Sequence, residues 1–437
     1  MLGYNLWLAA RSVRRNPVLS ILIIGGIALG ITIATSFITL HHVLAQDPLP
    51  DRSSRLHYVR LDSWDPARAY PGDAEKPIPP HITYPDMRGI MKSGIPAREN
   101  GGFKANLYVY PEKDKGRPFR AVVRLCFSDF FRMFEVPFAH GGPWPESADE
   151  GPEQVIVIDH ATNDTLFGGG NSVGRTVRLD EREFKVVGVL APWRPTIKMY
   201  DMTQFAYQEP EAIYMPFNFV EPMEIRTAGN TDNWKANTDN TPRGFLYSET
   251  AWLQFWVELE DERKVQEYRD FLEAYVMEQK KLGRFQRPLD VRLTPLPALI
   301  EEFQVVPEET KGMMLISLLF LTVCALNLTG LLLGKFLARA PEVGVRRALG
   351  ASRRAVFLQH VVECEFIGIV GGAIGLLLSM GVLFLFNKSF PFGEVFHLDA
   401  AMAGASILLS LVAGLLAGLY PAWRVCTLPP AAHLRLG

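Results

Sequence analysis

The sequence is short of the residues that would make it an enzyme or a metal protein. Its four cysteines, Cys126, Cys324, Cys364 and Cys426, stand far apart, and no CxxC or comparable spacing marks a metal site. No GxSxG, HExxH or Cys/His constellation is present, so hydrolytic chemistry has no residues to run on. His140 and His160 are isolated and read as surface residues, and the acidic pairs Glu301-Glu302 and Glu308-Glu309 as solvated faces. A phosphate loop is missing too. Residues 169–176 have its glycine spacing, but Arg175 stands where lysine is required and no helix pattern follows, so the stretch reads as a turn before a strand. No metal and no bound cofactor is expected on this chain, and no nucleic-acid partner.

What the chain has is apolar length. Among 437 residues, four runs are almost uncharged: 18–40, 312–334, 366–386 and 400–420. Each meets the roughly 20 residues needed to cross a bilayer as a helix. The first run could be a signal peptide, since Val43-Leu44-Ala45 resembles a cleavage site. It is longer than the usual signal core of about 7–15 residues, and it reads as an uncleaved span. Small residues recur at packing distances: Gly26 and Gly30 in the first run, Gly330 and Gly334 in the second, Gly368, Gly371, Gly372 and Gly375 in the third, and Gly414 and Gly418 in the fourth. These are expected to let helices approach closely. Ionisable groups within the runs are few, chiefly Glu363, with Glu365 at the edge; Glu363 reads as a snorkelled structural residue, and the alternative is a pairing with Arg353 or Arg354. Such scarcity suits a protein that moves an outer domain rather than one that conducts a solute between its helices.

Basic residues set the orientation. Arg11, Arg14 and Arg15 precede the first run, Lys335 and Arg339 follow the second, and Arg424 and Arg435 lie in the tail, which puts both termini in the cytoplasm. Residues 1–17 read as an amphipathic helix on the membrane surface, with Leu6, Trp7, Ala10 and Val13 forming its apolar stripe. His41 and His42 follow the first run at the outer edge and read as interfacial residues. The spans fall at 18–45, 311–337, 353–387 and 400–421, with a short outer loop at 388–399 and a cytoplasmic tail at 422–437. Residues 46–310 then lie outside. Two cysteines fall in membrane helices and one in the tail, so Cys126 is alone outside and no intrachain disulfide is expected. The outer region is mixed α and β. Strands are read at 55–61, 107–110, 154–158, 252–258 and 289–293, helices at 81–92, 261–281 and 298–303, and a hairpin over 177–190 around Asp180-Glu181-Arg182-Glu183. The two ends are expected to pair into one α/β layer, with a β-rich insertion at about 119–220.

Between the second and third runs lies a charged segment, 338–352. Pro341 suits the first helical position, Glu342 the first turn, and Arg346 and Arg347 the last, where each meets the favourable end of the helix dipole. Gly350 can stop the helix in a left-handed conformation, and Ser352 can cap the next one. Val345, Ala348 and Leu349 share one face. The order Arg-Ala-Pro-Glu-Val-Gly-Val-Arg-Arg-Ala-Leu-Gly-Ala-Ser, followed by Gln359, Glu363 and Gly371, resembles the signature of MacB/FtsX-type ABC transporter permeases. Further traces are Phe127-Ser-Asp-Phe-Phe-Arg-Met-Phe, the pair Gly141-Gly142 before Pro143-Trp144, residues 166–190, and the ending from Pro421 to Arg435.

The resemblance implies an α-helical membrane protein with four transmembrane helices and a large mixed α/β periplasmic domain between the first and second. It implies that Pro341, Glu342, Val343, Gly344, Val345, Arg346, Arg347, Ala348, Leu349 and Gly350 form a coupling helix for a separate cytoplasmic ATPase, which would hold the ATP and Mg. The expected partners are that ATPase, a second permease in a homo- or heterodimer, the lipid bilayer of the bacterial inner membrane, and a periplasmic adaptor with an outer-membrane duct. The expected function is mechanotransmission for efflux from the periplasm or lipoprotein extraction. A membrane-anchored periplasmic sensor or scaffold without transport is the alternative. The charge pattern predicts that cysteines placed at Ser147 and Lys388 react with an impermeant thiol reagent in cells whose outer membrane is permeabilised, while cysteines at Ser12 and Ala351 do not. Labelling at Ala351 from outside would overturn the orientation.

Overall fold

The computed structural model describes residues 2–71, 77–111, 117–151, 153–203, 206–389 and 395–427. Part of the expected outer loop, 390–394, and the end of the tail with Arg435 lie outside the described residues. The chain divides into two compact units, Asp47–Val305 and the pairing of Met1–Gln46 with Val306–Gly437.

The smaller unit is helical. Among the described residues, four helices are long and apolar enough to cross a membrane: Pro17–Ala45, Glu308–Leu337, Arg353–Ser389 and Ala400–Thr427. The first is the most enclosed, with Ile23, Ile27, Ile31 and Ala34 buried. The second presents one stripe inward, Ser317, Leu321, Ala325, Leu328 and Leu332, at the spacing of a single helix face. Its other side exposes Leu315, Ile316, Leu319, Val323 and Leu326, which suits contact with lipid. Two hydroxyls join the helices where carbonyls and apolar side chains alone would leave them loose. Thr35 Oγ1 donates to Ser406 Oγ at 2.9 Å, and Thr32 Oγ1 bonds both the Ala28 and the Gly375 carbonyls. The fourth helix continues through Pro421 to Thr427, beyond the end expected at 421. Proline removes one N–H, but packed membrane helices tolerate it, and Pro421 is buried against the bundle.

The larger unit is built on one eleven-stranded sheet. Its strands are β1 (Leu56–Leu61), β2 (Ile82–Thr83), β3 (Arg98–Tyr110), β4 (Phe119–Cys126), β5 (Phe138–Gly141), β6 (Val155–Ile158), β7 (Thr176–Leu179), β8 (Arg182–Leu190), β9 (Ile213–Pro216), β10 (Ala251–Glu258) and β11 (Val291–Pro295). The order is β11-β1-β10-β3-β4-β9-β6-β8-β5, with β2 on β10 and β7 on β3 and β8. The two ends of the unit therefore meet, since β1 lies between β10 and β11, both antiparallel to it. Strand β3 joins the parts: Arg98–Gly102 pair with β10, and Phe103–Val109 pair with β4.

Only the last third of β3 is legible as a strand, because its first half carries Asn100, Gly101, Gly102 and Lys104, poor strand formers by composition. Tertiary partners pay for them: Asn100 Oδ1 accepts from the Phe127 amide at 3.0 Å, and Gly101 makes room for Met87. The hairpin of β7 and β8 turns at Asp180, whose φ is +48°, a conformation aspartate tolerates better than most residues. The phosphate-loop-like stretch is a turn leading into β7, with the Arg175 guanidinium 4.1 Å from the Phe167 ring centre. Helix Glu262–Lys281 buries Val265, Tyr268, Leu272 and Val276 on the sheet and is capped by Asp261, which accepts from the Lys264 amide at 2.8 Å.

A buried polar cluster holds the 191–212 segment to the sheet. Glu211 accepts from Lys198 at 2.8 Å and from the Tyr200 hydroxyl at 2.8 Å, and Arg124 lies 3.4 Å away. Burial would raise the Glu211 carboxyl, but Lys198 and Arg124 outweigh it and hold it down at about 2. Glu99 is the reverse case. Burial, reinforced by the Asp129 carboxylate, pushes its carboxyl up to about 8, and its Oε2 has no hydrogen-bond partner. An acid whose pKa is raised by folding destabilises the fold as pH rises from its unfolded value near 4.5 to its folded value near 8. Glu99→Gln should therefore raise the melting temperature more at pH 9 than at pH 5. An equal change at both would show that Glu99 is charged throughout.

Candidate functional site

The charged segment forms a helix, Ala340–Ala348, between the second and third spans. Pro341 sits in its first two positions and Glu342 in its first turn. Its end is a Schellman stop: the Gly350 amide bonds the Arg347 carbonyl at 3.1 Å and the Ala351 amide bonds the Arg346 carbonyl at 3.0 Å. That stop requires the left-handed φ of +101° at Gly350, which glycine adopts without a Cβ penalty. Two residues later Ser352 Oγ accepts from the Ala355 amide at 3.2 Å and starts the third span. The helix is thus bounded at both ends by its own sequence.

Its faces divide cleanly. Ala340, Val343 and Gly344 are buried, and Val343 joins the apolar cluster that includes Val356. Val345, Ala348 and Leu349 turn outward, with Leu349 83% exposed. The charged side chains reach back to the bundle. Arg346 Nη1 donates to Gln359 at 3.1 Å, and Arg347 Nη1 donates to the Cys426 carbonyl at 3.2 Å. Glu342 meets Arg15 at 3.0 Å, an exposed pair worth about 0–1 kcal/mol. The helix is tied to the N-terminal helix and to the third and fourth spans, while Val345, Ala348 and Leu349 are exposed.

Beside it Glu363 stands in a cluster of charged side chains. Glu363, 3% exposed in the third span, is met by Lys335 Nζ at 2.9 Å and Arg339 Nη1 at 3.5 Å, both from the second span or its exit. Ser12 also donates to Glu363 and accepts from Arg339 at 2.6 Å. Arg353 and Arg354, the partners expected from proximity in sequence, are not involved. They precede Glu363 on the same helix, whereas Lys335 and Arg339 sit four residues apart and reach it from the neighbouring helix. Lys335 is itself buried. His360 stacks on Phe336, ring centres 4.4 Å apart, with its Nδ1 3.9 Å from Glu363. The legible signal was the lone carboxylate in an apolar run, which demands a cation at its own depth. Ser12 carried no such signal. The N-terminal helix, Leu2–Arg15, which the charge pattern placed on the membrane surface, buries Ala9 and Ser12 and leaves Trp7 exposed. A cavity of about 60 Å³ is lined jointly by this helix, the charged helix and the third span.

The glycines sort by neighbour. A Cβ on Gly375 would stand 2.7 Å from the Ala28 carbonyl, and one on Gly371 2.9 Å from Ile27, so the first and third spans cross there in near contact. Gly368 and Gly372 face Ser410, Gly414 and Gly418 face Cys364, and Gly26 and Gly30 face Leu328 and Leu321. Among the described residues, Gly330 and Gly334 meet no atom within 4 Å of an added Cβ.

Four membrane-length helices, an α/β unit between the first and second, and a charged helix between the second and third define a multi-pass membrane permease. Two family models match the chain: the MacB-like periplasmic core domain over residues 20–275 and the FtsX-like permease C-terminal over residues 314–430. The chain belongs to the MacB/FtsX-type family of ABC transporter permeases. It is 24% identical over 331 residues to the macrolide export ATP-binding/permease protein MacB of Syntrophobacter fumaroxidans, covering 70% of this chain and 46% of that protein. It is 24% identical to the ABC transporter permease YvrN of Bacillus subtilis, over 70% of this chain and 68% of that one. With MacB of Escherichia coli K12 the identity is 23%, over 99% of this chain and 61% of the relative. The chain thus spans about half the length of the Syntrophobacter relative. The crystal structure of the periplasmic region of MacB from Actinobacillus actinomycetemcomitans aligns over 60% of this chain and 97% of its own, at 12% identity and a TM-score of 0.37.

Losing one partner of a buried ion pair leaves the other charge uncompensated, at a cost of about 3–5 kcal/mol. Glu363→Gln should therefore lower the melting temperature of the detergent-solubilised protein sharply. Glu363→Leu combined with Lys335→Met should recover most of the loss. If Glu363→Gln melts like the parent, the cluster contributes nothing to the bundle.

Proposed function

We propose that this chain is the permease subunit of an ABC transporter whose ATPase is a separate cytoplasmic polypeptide, with ATP and Mg bound there. The reading rests above all on the outward face of Val345, Ala348 and Leu349, carried by a helix that is tied to three other helices. An apolar face on a rigidly held helix is what a groove in an ATPase can grip, and the ties to Gln359, Cys426 and Arg15 would convert a push on that face into movement of the spans. Glu342, Arg346 and Arg347 would form the polar edge of the contact.

Two permeases would assemble, with Gly330 and Gly334 available as a close-packing face for the second copy. ATP binding would draw the two ATPases together, shift the spans, and move the Asp47–Val305 unit in the periplasm. Both termini would lie in the cytoplasm. The output would be efflux from the periplasm through an adaptor and an outer-membrane duct, or extraction of lipoproteins. The relatives named for macrolide export support the efflux branch.

Leu349→Asp tests the reading. It places a carboxylate without a partner at the centre of the contact, and losing a central apolar anchor costs about 2 kcal/mol or more, roughly thirtyfold in affinity. The variant should insert and fold normally, yet fail to co-purify an ATPase from its native membrane and fail to transport. Co-purification at the parental yield would reduce the segment to a basic loop.

A further inference from the structure

The cavity between the N-terminal helix, the charged helix and the third span sits at the edge of the apolar layer. The second apolar run ends at residue 334, and the first and third begin at 18 and 366. Every residue lining the cavity falls just outside those limits. That is the depth of lipid headgroups, which adjoin the hydrocarbon core. The volume, about 60 Å³, is several times the roughly 10–15 Å³ that one water needs, so a group of a few heavy atoms fits.

The lining is rich in arginine. Arg11, Arg15, Arg339 and Arg346 face two carboxylates, Glu342 and Glu363. Glu363 is already met by Lys335 at 2.9 Å. The cavity therefore carries an excess of positive charge. The guanidinium ends themselves stand at it, because their bonds join lining residues from different elements. Arg15 Nη1 meets Glu342 Oε1 at 3.0 Å, between the N-terminal and charged helices. Arg339 Nη1 donates to Ser12 Oγ at 2.6 Å, and Arg346 Nη1 donates to Gln359 Oε1 at 3.1 Å. The Arg11 guanidinium carbon lies 5.2 Å from the centre of the Trp7 ring. Among the described residues, Arg15 and Arg346 each donate through one nitrogen. A guanidinium has three nitrogens carrying N–H groups, and it stays charged at any physiological pH. Gln359 gives its oxygen to Arg346, which leaves its NH2 as a further donor.

Several forked donors with surplus positive charge match the oxygens of a phosphate, which guanidinium groups bind through paired N–H bonds. Basic pockets between membrane helices are also where anionic headgroups lodge. We infer that this cavity holds a phosphate group, that of an anionic lipid headgroup or of a soluble phosphate. Held there, the phosphate joins the N-terminal helix to the charged helix and the third span. The site needs only the helical unit, so it stands whether or not an ATPase docks on Val345, Ala348 and Leu349.

The test uses the full chain in a non-ionic detergent, with bound lipid counted by native mass spectrometry. Phosphatidylglycerol should bind saturably and at least tenfold more tightly than phosphatidylcholine, whose choline cancels the charge of its phosphate. Arg11→Gln combined with Arg346→Gln should abolish that preference. Glu342→Gln frees Arg15 and removes a negative charge at an exposed position. It should tighten phosphatidylglycerol binding about threefold, a gain that a misfolded variant does not give. Arg14→Gln removes an arginine of the same helix that does not line the cavity, and should leave binding unchanged. Inorganic phosphate is the second probe, read as a saturable rise in melting temperature over chloride at equal ionic strength. A response to phosphatidylglycerol alone assigns the lipid headgroup; a response to inorganic phosphate that the double variant loses assigns soluble phosphate. No response to either probe overturns the proposal. So does a response that persists in the double variant, or one that Arg14→Gln weakens equally.

Discussion

A carboxylate buried in a membrane helix has to be neutralised, and much of the helical unit is arranged around that requirement. Glu363 is 3% exposed, Lys335 is buried beside it, and Arg339 and Ser12 complete its shell. Each partner comes from a different part of the chain. The second span, its exit, the N-terminal helix and the third span are therefore pinned at one point. The charged helix begins at Ala340, the residue after Arg339, so its first turn is positioned by the same cluster.

Around that point, close backbone approach does what apolar attraction cannot do in lipid, where side chains have no water to escape. The first span is the axis: Gly371 and Gly375 of the third span press on Ile27 and Ala28, while Gly26 and Gly30 receive Leu328 and Leu321 of the second. Packing this close leaves the facing side chains little room to shift.

The α/β unit uses a different principle. Its sheet is continuous because β3 is long enough to pair with β10 at one end and β4 at the other. Connections that cannot be strands are secured by buried charge, as where Lys198 and Arg124 converge on Glu211. Segment 221–246 departs from this pattern. It is bonded to neighbouring strands at Ala228 and Asp232 and lines a cavity of about 620 Å³.

Much of this was legible in the chain alone. Apolar length marked the four membrane helices, since a bilayer imposes a minimum of about 20 residues. Pro341, Glu342, Arg346, Arg347, Gly350 and Ser352 specified the short charged helix locally, because capping, dipole and left-handed stop all act within one or two turns. The β7–β8 hairpin, the amphipathic helix Glu262–Lys281 and β10 were legible for the same reason. What escaped depends on partners distant in sequence. The first half of β3 looks like a loop until Phe127 and Met87 satisfy Asn100 and fit Gly101. Glu363 demanded a cation, but only the packing of the spans chose Lys335 and Arg339 over Arg353 and Arg354. Val343 and Val345 are chemically alike and two residues apart, yet one is buried and the other outward, a division that the direction of the helix against its neighbours decided. Local interactions are written in consecutive residues; a long-range contact depends on where two chains of atoms meet, and that exists only once the chain has folded.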